Sequence, residues 1–168
     1  MKKSLSLILV LGLCAVCVGT SFAQVSATQT VNLAVNSVQK IAITGGAITL
    51  TITTGVAGNN ALTPVTDATS TYSITHNSAT VLRITANLDA VLAAGYQLQI
   101  ALAPGAGMGT SAGTVDISNA LAASAVQVVT AIPKGADAGR TITYTFNANA
   151  SAGMLTSVAK TVTLTLTN

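Results

Sequence analysis

Four aspartates, Asp67, Asp89, Asp116 and Asp137, are the only carboxylate side chains in this 168-residue chain, and His76 is its only imidazole. Acid–base catalysis, metal ligation and nucleophile activation draw mainly on these groups, so any such chemistry has to be assembled from these five. Their spacing argues against it. Each aspartate stands alone among small residues, with no Asp-x-Asp run to chelate calcium, and a zinc site lacks a second His. A glycosidase-like pair would need distant loops to converge. Asp89 and Asp137 read as cap and turn residues, and His76, directly before Asn77, reads as a turn histidine. Serines are plentiful, but no Gly-x-Ser-x-Gly elbow occurs. The run Gly105-Ala-Gly107-Met-Gly109 has no Lys after it and opens no substantial helix, so it reads as a tight connection, not a phosphate loop. No catalytic, cofactor-binding or metal-binding residue is expected, and the chain does not read as an enzyme. Asn149-Ala-Ser151 fits the acceptor pattern for N-glycosylation.

The elements that would position any site begin after residue 23. Lys2 and Lys3 precede an apolar stretch from Leu5 to Val18, and Ser21-Phe22-Ala23 forms a small-x-small cleavage signal before Gln24. This predicts a secretory leader over residues 1–23 and an exported domain over residues 24–168. The stretch is shorter than the roughly 20 apolar residues that a membrane-spanning helix needs. Leu13 before Cys14 and Val16 before Cys17 do not suit lipidation. Both cysteines leave with the leader, so no disulfide is expected. Residues 24–168 then carry five basic and four acidic side chains, a net charge of +1, against +3 for the whole chain. Nucleic-acid binding needs clustered Lys and Arg, and no such cluster exists, so no nucleic-acid partner is expected.

Within residues 24–168, Thr (25) and Ala (27) make up more than a third of the sequence, and apolar residues alternate with Thr at period two. That period is the signature of half-buried strands, and β-branched Thr suits their outward face. The clearest run places Val158, Val162, Leu164 and Leu166 opposite Thr161, Thr163, Thr165 and Thr167. Residues 140–147, 96–102, 82–88 and 48–53 alternate in the same way. Residues 70–75, 40–44 and 126–132 are weaker strands, and Val25, Val31, Leu33 and Val35 share one register near the start. Short helical turns are predicted at 89–95 and 118–125. Gly-, Asn- and Pro-rich turns separate the runs, and neither helical turn is long enough for a parallel crossover. The pattern predicts an all-β fold, an antiparallel immunoglobulin-like β-sandwich of about eight or nine strands, with a closed barrel as the alternative. Tyr72, Tyr96 and Tyr144 fall in the core register.

Soluble sandwiches guard sheet edges with Lys, Pro or inward charges. Here Pro64, Pro104 and Pro133 fall in loops, and Lys160 alone accompanies the last run. Residues 24–38 form an extension that either pairs within its own domain, the simpler expectation, or adds to a neighbour's sheet. Val25, Val31, Leu33 and Val35 are therefore the candidate assembly strand, and Val158, Val162, Leu164 and Leu166 the candidate C-terminal edge strand.

The order of leader, Gln29-Thr-Val-Asn-Leu-Ala-Val35, Tyr72-Ser-Ile-Thr-His-Asn77, Leu82-Arg-Ile-Thr-Ala86 and Thr161-Val-Thr-Leu-Thr-Leu-Thr167 resembles small secreted bacterial pilin-like proteins of the fimbrial-subunit kind. In fimbrial subunits an immunoglobulin-like domain is completed by the N-terminal strand of the next subunit. Many carry a disulfide and a penultimate Tyr. Here Thr167 is penultimate and residues 24–168 hold no Cys, so the resemblance is closer to cysteine-free pilin-like and surface-coat proteins. It implies a structural protein of the cell surface or periplasm that forms homo-oligomers. The other expectation kept open is a secreted or periplasmic binding module that uses loops at one end of the sandwich.

Overall fold

The computed structural model describes residues 25–168. The predicted leader, with both cysteines, lies outside the described residues, as does Gln24. Among the described residues nine antiparallel strands form: β1 (Gln39–Thr44), β2 (Val65–His76), β3 (Leu82–Leu88), β4 (Tyr96–Leu102), β5 (Thr110–Ser111), β6 (Val115–Asp116), β7 (Val126–Ile132), β8 (Gly135–Ala148) and β9 (Val162–Thr167). They make two sheets, β1-β2-β8-β4-β6 and β5-β7-β3-β9. This is an all-β sandwich. From β2 onward every connection changes sheet, so the register of each strand is set by which of its faces must be buried.

That burial is legible strand by strand. Leu82, Ile84, Ala86 and Leu88 of β3 face Leu98, Ile100 and Leu102 of β4, Tyr72 and Ile74 of β2, and Ile142 and Tyr144 of β8 in one core. Val128, Val129 and Ile132 of β7, Leu164 of β9 and Ile117 complete it. Each fully buried aliphatic side chain contributes about 1.5–3 kcal/mol. Tyr72 and Tyr144 are core residues, as their register requires.

Several expectations need correction. Residues 48–53 keep their alternation, with Ile48, Leu50 and Ile52 half-buried, yet form no strand among the described residues. Gly45 explains part of this: its φ of +139° turns the chain away where β1 ends, close against Ser70. The helical turn expected at 89–95 is absent. Asp89 therefore caps no helix; its Oδ1 accepts from the backbone N–H groups of Ala90 and Thr161, tying it to the approach to β9. A single 3-10 turn, Ala122–Ser124, falls within the 118–125 prediction, and a second at Ala150–Ala152 was not anticipated. The C-terminal strand begins at Val162, not Val158, because β3 ends at Leu88, the partner of Val162, and Lys160 breaks the apolar alternation.

Residues 25–38 form no strand, so the expected pairing of this segment within its own domain is not found. Val25, Val31, Leu33 and Val35 are exposed. The chain enters β1 through Asn77, which donates from Nδ2 to the Asn36 carbonyl and accepts from the Val38 N–H at Oδ1.

Candidate functional site

The candidate site is the seam where the two sheets end. β1 pairs only with β2, and β9 only with β3, so each has one edge with no strand beside it among the described residues. The two strands border a shallow groove of about 290 Å³, lined by Ile41, Ala42 and Ile43 from β1 and by Val162, Thr163 and Leu164 from β9. Leu164 is buried, Val162 and Leu166 are half-buried, and Ile43 is 46% exposed. Inward apolar side chains thus meet solvent along an unpaired backbone edge.

Edge protection is sparser than the sequence suggests. Lys160 lies outside β9, and its Nζ donates to the Val91 carbonyl, so it guards no edge. No Pro or Lys sits within β9, and no register shift interrupts its ladder to β3. On β1 only Lys40 is charged. The opposite edges are different in kind: β5 and β6 are two residues each, and such short edges resist strand addition.

The five chemistry-bearing residues do not converge. Asp67 accepts from Thr69, Asp89 holds the approach to β9, Asp116 accepts from Gln97 and Ser118, and Asp137 from Arg140 and Gly105. No group of three His, Cys, Asp or Glu side chains is placed to hold a metal among the described residues. Burial pushes the Asp116 carboxyl up, but hydrogen bonds from Gln97 and Ser118 prevail and hold it below the usual carboxylate value.

Two of these residues are not what their sequence positions suggest. Asp137 is no exposed turn residue. It lies in β8 where the pairing with β2 shifts register, with its side chain 1% exposed. Its Oδ1 accepts from Arg140 Nε and its Oδ2 from the Gly105 N–H at 2.7 Å. Gly105 is required there, because a Cβ would press on the Arg140 guanidinium and sit 2.8 Å from Asp137 Oδ1. The Asp-x-x-Arg spacing, with Gly135 before it and Gly139 inside it, was the available signal for this pair. His76 is no turn histidine either. It is the last residue of β2, buried in the same inward register as Tyr72 and Ile74, and neither ring nitrogen has a partner among the described residues.

Among the described residues no helix is long and apolar enough to cross a membrane. No family model, curated protein or solved structure matches the chain, so its function has to be sought in its own geometry.

Proposed function

We propose that the protein is an exported, non-enzymatic structural subunit of an extracellular fibre or surface layer, which assembles with copies of itself through β-strand contacts. The observation that carries this reading is the seam between β1 and β9. A β9 edge without Lys or Pro and a β1 edge with Lys40 as its one charge flank an apolar groove, and an open edge offers a row of N–H and C=O groups to an incoming strand. The chain also carries a strand-like sequence outside any sheet: Val31, Leu33 and Val35 alternate with the smaller or polar Asn32 and Ala34 and are exposed. Strand addition would satisfy the edge backbone and bury these apolar side chains together. The predicted leader supports export, and the separate hydrogen-bonding commitments of the four aspartates support a non-catalytic role.

Deletion of residues 24–35 tests the mechanism. The truncated protein is expected to form no polymer, and a free peptide of that sequence is expected to bind it and yield a folded monomer. Undiminished assembly after the deletion would sink strand exchange by this segment.

A further inference from the structure

We infer that a second site, a polar cleft at one end of the sandwich, binds a neutral polyhydroxylated ligand of the saccharide class. The cleft has a volume of about 470 Å³ and lies between the turn before β4, the residues following β6 and the end of β8. Its size falls within the range of small-molecule sites. Nothing in the strand-assembly proposal uses it.

A row of side chains across β6, β4 and β8 is fixed before any ligand arrives. Gln97 Nε2 donates to Asp116 Oδ2 at 2.8 Å, and Ser118 donates to Asp116 Oδ1 from its backbone N–H at 2.8 Å and from its hydroxyl at 2.5 Å. Asn147 Nδ2 donates to Gln97 Oε1 at 3.3 Å and to Gln99 Oε1 at 3.1 Å. Side chains held this way lose little freedom on binding, which is the energetic advantage of preorganisation.

The row has capacity to spare. The second N–H of Gln97, the Oδ1 of Asn147 and the whole amide of Asn119 at the rim have no protein partner among the described residues. Free amide donors therefore lie beside free amide acceptors. A hydroxyl both donates and accepts, so a ligand presenting several hydroxyls matches this arrangement. Charged ligands match poorly: no Lys or Arg lines the cleft to meet an anion, and Asp116, its one carboxylate, already accepts three hydrogen bonds.

Tyr96 lines the cleft, its ring stacks on Phe146 with centroids 6.4 Å apart, and its hydroxyl donates to the Ala152 carbonyl at 3.0 Å. The rim is built with equal constraint. Gly95, at φ +89°, accepts from the Asn149 N–H and packs so closely on Ala152 that a Cβ there would collide with it.

The test is a titration of residues 24–168, followed by the side-chain amide resonances of Gln97, Asn119 and Asn147. The probes are neutral cello-, malto-, xylo- and chito-oligosaccharides, with calcium chloride alone as the competing candidate. At least one oligosaccharide is expected to give saturable shifts at these amides. Asn119→Ala and Asn147→Ala are each expected to weaken that binding about three- to tenfold, the equivalent of one hydrogen bond. Asn119→Ala removes no internal bond, so its thermal midpoint should match the parent and a loss of binding cannot be ascribed to unfolding. Absence of saturable shifts with every oligosaccharide overturns the inference, as does parental affinity in both variants, or a response to calcium alone.

Discussion

Replacing Asp137 with Ala should release the 103–109 connection from the sandwich, and its cost can be worked from the contacts. The carboxylate is 1% exposed and serves two donors, Arg140 Nε and the Gly105 N–H. Removing it leaves the buried Gly105 N–H unpaired, at about 1–3 kcal/mol. Breaking a fully buried ion pair costs about 3–5 kcal/mol, but the Arg140 side chain is 42% exposed and regains water when freed. Its share is therefore small, and the total comes to about 2–4 kcal/mol. For a domain of this size that corresponds to a fall in Tm of roughly 6–16 °C, measured by circular dichroism melts at pH 7. Amide exchange at Gly105 should accelerate in the same variant. Gly105→Ala should cost a similar amount through the same contact, so the double variant should lose clearly less than the sum of the two. A loss below about 1 kcal/mol for Asp137→Ala, with Gly105 still protected, would refute the view that this carboxylate anchors the connection.

Other outcomes follow from the core and the edges. Ile100 is fully buried between the sheets, so Ile100→Ala should cost about 2–5 kcal/mol in urea unfolding. Burial, with the Asp137 charge adding to it and Arg140 opposing, pushes the Tyr72 phenol up to about 12, against about 10 in an unfolded chain. Its contribution is intact below pH 10 and is lost as pH rises from 10 to 12; Tyr144 is raised by burial in the same direction. Urea midpoints across that range should fall, and Tyr72→Phe, which removes a buried hydroxyl without a partner, should flatten the fall while leaving stability at pH 7 equal or higher. Ile43→Lys places a charge on the β1 edge of the groove. It should suppress assembly in sizing experiments while leaving the unfolding free energy within about 0.5 kcal/mol of the parent.

Much of the fold was legible where apolar and polar residues alternate. Residues 82–88 and 96–102 form strands with the limits their pattern implies, because period two and a single buried face demand the same backbone. Residues 48–53 show where that inference fails: alternation reports which face is buried, not whether a neighbouring strand supplies hydrogen bonds. β5 and β6 are too short to show any period, and they exist through pairing with β7 and β4. Asp137 and His76 were misjudged because local composition resembles that of turns, whereas their burial comes from long-range contacts. The polar row of Gln97, Asp116 and Asn147 was invisible for the same reason, since three separate strands bring it together. Scarcity of charge marks the C-terminal run as a candidate edge in the sequence, whereas the position of Lys160 outside β9 follows only from where the pairing with β3 ends.

The central claim, that this chain assembles through its open strand edges, is tested most directly by negative-stain electron microscopy of purified residues 24–168, with light-scattering mass measured across a range of concentrations. Filaments or sheet-like arrays and a mass that grows with concentration are expected. A monomer of constant mass at every concentration, with no ordered assembly on the grid, would contradict it.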